Sequence, residues 1–289
     1  MKIITQGVDS ITGKSVCGLG GFDGVHLGHQ AIVNHLKKLA YPDKKIGIIT
    51  FIPLPIFILN PTPIFYLTSK KEKEEIFRFL GIDFIYYFKF SEKFAKSTPS
   101  QFVKLIATKI KPSIIVAGEN FNFGRERSGS AQTLKELAKN AFSVDILPML
   151  KDDKTISSTR IRELLLLGHI KAANRLLGRE YLIMGRVIKG KGKGAKLGFP
   201  TINLKVPREK LLPLDGVYKV RAFIDDREFL GAMFCRYSTV EVHLINFSGD
   251  LYRREVAVKI LARLRDIKQF TDDSALKMAI AFDVKEIRN

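Results

Sequence analysis

A strand, a glycine-rich turn and a helix follow one another near the start of the chain, and this order constrains the fold most. Residues 16–19 are apolar, as at the end of a buried strand, and the apolar residues of 30–39 recur on one helical face. Between them lies the segment GGFDGVHLGH, residues 20–29. Amide N–H groups at a helix start attract anions, and glycines let a ligand approach the main chain closely. The segment therefore predicts a phosphate site.

Two histidines, His26 and His29, occur in this segment at helical spacing. We expect both rings at the helix entrance, where imidazoles can donate hydrogen bonds to a triphosphate. The alternatives are a structural histidine pair and a metal site. A metal site needs further ligands at matched spacing, and the neighbourhood offers only Asp23. The pattern indicates nucleotide chemistry without a Walker lysine.

The first half of the chain alternates β-branched or aromatic runs with helical stretches. The expected strands are 15–19, 45–51, 84–88, 114–117 and 143–146, and the expected helices are 30–39, 70–80, 99–110 and 131–140. Such alternation predicts an α/β fold, a doubly wound parallel sheet. Ligands bind beyond the carboxyl ends of the strands in these sheets, so we expect residues 20–21 and 118–124 near the ligand.

The second half has a different texture, with glycine turns and alternating strands after residue 182. Helical spacing first continues over 161–168 and 171–177. The expected strands are then 182–188, 217–224, 228–234, 240–245 and 254–264, with a final helix at 274–280. This pattern predicts a small antiparallel β-barrel. The predicted domains are therefore 1–181 and 182–289.

Composition limits the function classes. The 289 residues suffice for two domains, and 48 Lys+Arg against 29 Asp+Glu give a net charge of +19, which suits anionic partners. Nucleic acid is the rival to nucleotides, but the charge is spread along the chain. Cys17 and Cys235 imply no disulfide framework. Without a secretion signal or a bilayer-length apolar run, we expect a cytoplasmic protein with no membrane partner; the oligomeric state stays open.

Two further motifs of the first half carry chemistry. The segment VAGENFNFG, residues 116–124, contains an aromatic pair that can stack on a flat ligand, with a packed loop as the alternative. The segment ISSTRIR, residues 156–162, leads hydroxyls and arginines into a helix. The hydroxyls can cap the helix or bind phosphate, and the arginines can stabilise charge on a leaving pyrophosphate.

The second half contains its own phosphate candidate at residues 185–204, where glycines and lysines precede GFPTINL. Glycines with lysines form a flexible, cationic flap suited to phosphates. Thr201 and Asn203 alternate along a strand, so both side-chain oxygens can face one Mg²⁺. Glu241 lies in a later strand, where a glutamate is more often a solvated surface residue than a catalytic one.

These motifs together resemble the bacterial bifunctional riboflavin kinase/FAD synthetase family over nearly the whole chain. GxFDGxHxGH is similar to the nucleotidyltransferase HxGH signature, ISSTRIR to the family's ISSTxIR motif, and GFPTINL to the PTxN segment of riboflavin kinase. The resemblance implies phosphorylation of riboflavin to FMN in the second domain and adenylylation of FMN to FAD in the first. It implies ATP and Mg²⁺, with flavins as substrates and products.

The resemblance also implies site residues. The implied catalytic residues are His26, His29, Arg160, Arg162 and Glu241. Those that would bind ATP in the adenylyltransferase are Gly20, Phe22, Asp23, Gly24, Gly28, Ser157, Ser158 and Thr159, and those that would bind its flavin are Asn120, Phe121, Phe123 and Arg127. In the kinase, ATP would contact Gly190, Lys191, Gly192, Gly194, Gly198 and Pro200, flavin Arg265 and Phe270, and the metal Thr201 and Asn203.

Departures from the family pattern concentrate in the kinase half. Residues 232–239, AMFCRYST, run straight into Glu241, where the family has a longer segment with asparagine, glycine and proline. In the first half, Asn120 replaces a common aspartate and Gly21 a common asparagine.

Because the segment before Glu241 is short, a second hypothesis is an adenylyltransferase with a weak or inactive kinase domain. A third is a basic nucleic-acid-binding protein.

Overall fold

A computed structural model describes residues 1–6, 14–60, 65–225 and 227–288. Its contacts divide the chain into two units. Unit 1 comprises Met1–Ile64 and Lys73–Ser157, and unit 2 comprises Phe65–Glu72 and Ser158–Asn289. The functional boundary expected at residue 182 stays a prediction, because spatial contacts and catalytic assignment are different properties.

The described part of unit 1 contains a parallel sheet of six strands in the order β1-β4-β3-β2-β5-β8. The strands of this sheet are β1 (Lys2–Thr5), β2 (Ser15–Leu19), β3 (Lys45–Ile52), β4 (Phe84–Lys89), β5 (Ile114–Gly118) and β8 (Ser143–Leu147). Four short strands outside it are β6 (Asn122–Phe123), β7 (Gly129–Ser130), β9 (Lys151–Asp152) and β10 (Lys154–Thr155). The helices are α1 (Leu27–Ala40), α2 (Pro55–Leu59), α3 (Lys70–Phe79, whose first residues belong to unit 2), α4 (Glu92–Ala95), α5 (Pro99–Lys109) and α6 (Ala131–Leu137). The predicted α/β sheet is confirmed.

Helices cover both faces of this sheet, because its strands carry apolar side chains on both faces. Ile48 packs in a cluster with Leu36 of α1, whereas its neighbour Ile49 packs in another cluster with Phe102 of α5. Strands buried on both sides read as continuous apolar runs, which made them predictable. The edge strand β1 was missed, since Ile4 is its one fully buried residue.

The described part of unit 2 contains a closed barrel in the order β11-β12-β15-β14-β13-β16, which confirms the predicted barrel. Its strands are β11 (Tyr181–Ile188), β12 (Thr201–Lys205), β13 (Gly216–Ile224), β14 (Arg227–Arg236), β15 (Thr239–Leu244) and β16 (Glu255–Arg265). Its helices are α7 (Ser158–Leu166), α8 (Ile170–Leu177), α9 (Lys193–Lys196) and α10 (Asp273–Arg288). Helix α10 continues beyond the predicted end at residue 280, because Val284 and Ile287 still face an apolar cluster.

The segment 232–239, which is shorter than its counterpart in the family pattern, contains a two-residue hairpin turn between β14 and β15. Tyr237 and Ser238 have φ angles of 45° and 73°, the left-handed conformations that a type I′ turn requires. Neither residue is glycine or asparagine, so each costs about 1–2 kcal/mol. The turn nevertheless keeps the strand register, with Cys235 opposite Val240 and Phe234 opposite Glu241.

A fully buried ion pair anchors the stretch Phe65–Glu72 within unit 2. Lys210 Nζ lies 2.8 Å from a carboxylate oxygen of Glu72, and both side chains are 0% exposed. The same ammonium donates hydrogen bonds to the carbonyl oxygens of Leu67, at 2.6 Å, and Leu182, at 2.7 Å. Both charges of this buried pair therefore have close partners, in agreement with the assignment of the stretch to unit 2.

Replacing Lys210 with methionine should lower the free energy of unfolding of unit 2 by about 3–5 kcal/mol, because it leaves the Glu72 carboxylate buried without its counter-ion. Urea unfolding followed by circular dichroism measures the loss. Lys71 provides a matched control, since its ion pair with Glu255 is about half exposed on both sides, and Lys71→Met should cost at most about 1 kcal/mol. Equal losses in the two variants would contradict the prediction.

The structure also bears on the cysteines and on membranes. Cys17 and Cys235 are free and buried. Burial raises the pKa of each thiol to about 12, so both stay protonated at neutral pH. Within the described ranges, none of the helices has the length and apolar character needed to cross a bilayer.

Candidate active sites

The turn after β2 uses backbone conformations that ordinary residues rarely adopt. It starts with the Gly20 N–H, which donates to the Ile49 carbonyl at 3.1 Å. Beyond it, φ is 51° at Phe22, 80° at Gly24 and 41° at Val25. Positive φ is costly for residues with a Cβ, and more so for a β-branched one. Such strain persists only where surrounding contacts impose it, and it concentrates at functional sites.

The two histidines stack on each other directly after this turn. The ring centroids of His26 and His29 are 3.7 Å apart with an interplanar angle of 22°, and the Phe22 ring lies 5.0 Å from that of His29. His26 is the N-cap of α1, which begins at Leu27. Gly28 makes room for the stack, because a Cβ there would come within 3.2 Å of the His26 ring. Both imidazoles therefore lie at the helix entrance.

The second glycine segment leaves the sheet beside the first. Strands β2 and β5 are parallel neighbours, with Leu19 opposite Ala117. The turns that follow them, from Gly20 and after Gly118, consequently start at the same edge. This is the carboxyl edge, where open α/β sheets bind their ligands.

The aromatic pair of the second segment divides into a buried ring and a partly open one. Phe121 and Phe123 stack with centroids 5.5 Å apart and 16° between their planes. Phe123 is buried and lies 5.3 Å from Phe102 in the core, whereas Phe121 is half-buried. Asn120 is exposed, and its backbone carbonyl accepts a hydrogen bond from the side-chain amide of Asn122 at 2.8 Å. Of the two rings, Phe121 is the one able to meet a ligand, with Phe123 supporting it.

The remaining residues expected at the adenylyltransferase site lie in or next to two helices. Arg127 is exposed and ends the short 3₁₀ helix Arg125–Arg127. Ser157 ends unit 1, whereas α7, with Ser158, Thr159, Arg160 and Arg162, belongs to unit 2. Arg162 Nε donates to the Phe65 carbonyl at 3.0 Å. The meeting of these residues with His26 around one ATP stays a prediction.

Three oxygen-bearing side chains share one face of the barrel in unit 2. Asn203 of β12 lies directly opposite Glu241 of β15, and Thr201 is two residues along the strand. Residues opposite or two apart point to the same face of a sheet. Thr201 Oγ1 is 3.4 Å from a Glu241 carboxylate oxygen. The backbone of Gly190 packs closely against the Asn203 side chain, because a Cβ at this position would lie 2.1 Å from Asn203 Nδ2.

The glycine-lysine segment forms the approach to that face. It contains α9 and two left-handed glycines, Gly192 at φ 70° and Gly198 at φ 89°. Gly194 approaches the main chain closely, since a Cβ there would be 2.5 Å from the Phe199 carbonyl oxygen. Lys191 is exposed. The segment thus has the tight backbone and the positive charge that a phosphate-binding loop uses.

A cavity of about 520 Å³ adjoins these residues in unit 2. Lys189, Pro200, Thr201 and Tyr252 are among the residues that line it. The Lys189 ammonium lies 5.7 Å from the centroid of the Tyr252 ring. The volume falls in the range of small-molecule sites, about 300–1,000 Å³, and the mixture of an aromatic wall with a cation suits a nucleotide.

Arg265, expected at the kinase flavin site, has a structural partner that its sequence context did not reveal. Its Nε and Nη2 donate to the two oxygens of Asp283, at 2.9 and 2.7 Å, and the Asp283 side chain is 5% exposed. The guanidinium lies 5.9 Å from the Phe270 ring centroid. Arg265 therefore ties β16 to α10, and flavin contacts of Arg265 and Phe270 stay a prediction.

Two buried polar residues behind the histidine turn escaped the sequence analysis. Thr50 of β3 and Lys73 of α3 are 0% and 3% exposed, and both donate hydrogen bonds to the Gly21 carbonyl. Lys73 stands in the run KKEKEE, which is typical of a solvated helix surface. No local pattern distinguishes its buried position from the exposed lysines beside it.

Comparison with known proteins agrees with both halves of this arrangement. A family model of FAD synthetase matches residues 8–160, and one of riboflavin kinase matches residues 177–289. A bifunctional riboflavin kinase/FMN adenylyltransferase of Buchnera aphidicola subsp. Schizaphis graminum is 34% identical over 100% of this chain and 98% of its own length. One of Listeria monocytogenes is 31% identical over 95% of this chain and 92% of its own.

A solved structure has the same fold over the whole chain. A protein from Streptococcus pneumoniae, described as a macrolide-efflux protein, superposes with a TM-score of 0.89 at 30% identity, covering 100% of this chain and 99% of that one. Both relatives match over more than nine tenths of each chain, and the two catalytic domains follow in the expected order. The chain is an enzyme of the bifunctional riboflavin kinase/FMN adenylyltransferase family.

Proposed function

We propose that this chain phosphorylates riboflavin to FMN in its second domain and transfers AMP from ATP to FMN in its first, producing FAD and pyrophosphate. The observation that carries the proposal is the presence of two separate phosphate-type sites on one chain. Stacked His26 and His29 stand at a helix entrance of a parallel sheet. Thr201, Asn203 and Glu241 share a face of a closed barrel.

Adenylyl transfer requires positioning and charge neutralisation rather than a covalent enzyme intermediate. An FMN phosphate oxygen attacks the α-phosphorus of ATP, the bond from that phosphorus to the bridging oxygen breaks, and pyrophosphate leaves. His26 and His29 donate hydrogen bonds to the phosphates, and Arg160 and Arg162 stabilise the charge that develops on pyrophosphate. Phe121, stacked on Phe123, contacts the flavin.

Riboflavin phosphorylation needs a base for the proton of the ribityl hydroxyl. Glu241 accepts that proton while the hydroxyl oxygen attacks the γ-phosphorus of ATP and ADP leaves. The glycine-lysine segment supplies N–H groups and positive charge to the phosphates. The cavity beside Thr201 and Tyr252 holds the rest of the nucleotide.

The oxygen donors in the barrel fit Mg²⁺. A hydroxyl, an amide oxygen and a carboxylate on one face are the hard ligands this ion prefers, and it usually shares them with substrate phosphates. Thr201 and Asn203 would hold the ion, with Glu241 beside them. When bound, Mg²⁺ neutralises charge on the transferred phosphoryl group.

Chromatography of the products made from riboflavin and Mg-ATP tests the proposed function directly. The expected product is FAD, with FMN as a transient intermediate. A parallel reaction that starts from FMN isolates the adenylylation step. A purified, folded chain that makes neither FMN nor FAD would refute the proposal.

The hairpin turn at Tyr237 and Ser238 supports a second candidate, an FMN adenylyltransferase whose barrel is a weak kinase. The φ angles fit a two-residue turn, which leaves less chain for substrate contacts than the longer segment of the family pattern. This candidate predicts FAD from FMN but little or no FMN from riboflavin. The same two reactions separate it from the bifunctional enzyme.

A further inference from the structure

The carbonyl oxygen of Gly21 accepts hydrogen bonds from two side chains that come from different elements. Lys73 Nζ of α3 donates at 2.9 Å, and Thr50 Oγ1 of β3 donates at 3.1 Å. Both donors are almost completely shielded from water, with 3% and 0% of their surfaces exposed. One carbonyl with two buried donors, one of them charged, is firmly fixed in direction.

Burying the Lys73 ammonium costs free energy. Burial lowers its pKa from the usual value to about 8, against the opposing influence of the Asp23 and Glu74 carboxylates. A methionine of similar length would fill the same space without this desolvation cost. Packing alone therefore does not explain a lysine at this position; its ammonium is favoured by the Asp23 and Glu74 carboxylates and donates a hydrogen bond to the Gly21 carbonyl.

The fixed carbonyl belongs to the peptide unit that joins Gly21 to Phe22, the first residue in the left-handed conformation. In a trans peptide the C=O and N–H point in opposite directions, so the Phe22 N–H points away from Lys73 and Thr50. A charged donor on the carbonyl also polarises the peptide and strengthens its N–H as a donor. The strained residues that follow lead directly into His26.

We propose that Lys73 and Thr50 are positioning residues for ATP at the adenylyltransferase site: they clamp the Gly21 carbonyl and so hold the strained turn with its N–H side and histidines towards the nucleotide phosphates. Neither side chain touches the nucleotide in this arrangement. The lysine acts through the main chain, which distinguishes it from a lysine that binds phosphate directly. The inference rests on the proposed function of this site.

The test uses Lys73→Met and Thr50→Val, singly and together, in the full-length chain. Both substitutions keep side-chain size and remove the donor. The expected result is a rise in the KM for ATP of FAD formation from FMN, about 10- to 100-fold for Lys73→Met and about 3- to 10-fold for Thr50→Val. The double variant should lose less than the product of the two factors, because both donors act on one carbonyl.

Two internal controls separate positioning from general damage. Thr50→Ser keeps the hydroxyl and should keep a KM for ATP close to that of the unmodified protein. Riboflavin phosphorylation by the same preparations, which uses the barrel, should be unchanged in every variant. If Lys73→Met does not fold, Thr50→Val with its serine control still tests the clamp.

Three outcomes would overturn the inference: an unchanged KM for ATP in folded variants, a loss confined to kcat, or equal losses of both activities. FAD formation by the unmodified protein tests the proposed function separately. If the unmodified protein makes FAD and the variants behave like it, the clamp is wrong and the proposed function survives. If it makes no FAD, the proposed function itself is wrong.

Discussion

Replacing His29 with alanine is expected to slow FAD formation from FMN by about 10²- to 10³-fold while leaving riboflavin phosphorylation at its normal rate. The ring lies at the entrance of α1, stacked on His26 with 3.7 Å between centroids. A preorganised donor aimed at charge that develops in the transition state is worth this factor in other enzymes. Quantification of FMN and FAD by chromatography, from each substrate separately, measures both rates.

His35 provides the matched control, because it lies on the same helix and its ring bonds Asp145 at 2.9 Å in the same unit. His35→Ala should leave FAD formation close to normal. Removal of the His29 imidazole also removes one half of a stacked pair, so circular dichroism must first show that the variant is folded. Equal loss of both activities in a folded His29→Ala chain would contradict the assignment of two separate sites.

The reciprocal prediction concerns Glu241. Glu241→Gln should slow riboflavin phosphorylation by about 10²- to 10⁴-fold, the range for loss of a general base, and leave FAD formation from FMN unchanged. Glutamine keeps the size of the side chain and an oxygen near Thr201, but it cannot accept the ribityl proton. Initial rates of FMN production at saturating Mg-ATP measure the effect.

Two comparisons sharpen this second test. Glu228→Gln alters an exposed carboxylate of the neighbouring strand β14, which pairs with Arg221, and should leave the kinase unaffected. A rise in the KM for Mg-ATP without a fall in kcat would show that Glu241 holds metal rather than accepting a proton, against the prediction. Mixed together, the His29→Ala and Glu241→Gln chains should make FAD from riboflavin, because FMN released by one is the substrate of the other.

Local patterns were enough to predict the motifs, because their residues are neighbours in the chain. The glycines and histidines of residues 20–29 specify a turn and a helix start by themselves, and the stacked rings lie where their spacing indicates. The alternation of Thr201 and Asn203 likewise placed both side chains on one face of β12. Buried parallel strands were predictable for the same reason, since each is a single apolar run.

Long-range polar contacts were not predictable, because nothing local reveals them. Glu72 and Lys73 are adjacent in a charged run, yet both are buried, the first against Lys210 and the second against Gly21. Tertiary structure overrides the usual rule that such a run is a solvated helix face. The bond from Arg265 to Asp283 was missed in the same way, since a resemblance to flavin-site sequences carries no information about internal partners.

The buried pair of Glu72 and Lys210 also has a consequence for protein synthesis. The Leu67 carbonyl leaves the ribosome 143 residues ahead of the lysine that binds it, and domains of this size fold as their residues emerge. The stretch Phe65–Glu72 therefore lacks this partner while the next 143 of the chain's 289 residues are made. A gene fragment that begins after residue 72 therefore encodes a barrel in which Lys210 has lost its counter-ion, however complete its catalytic residues.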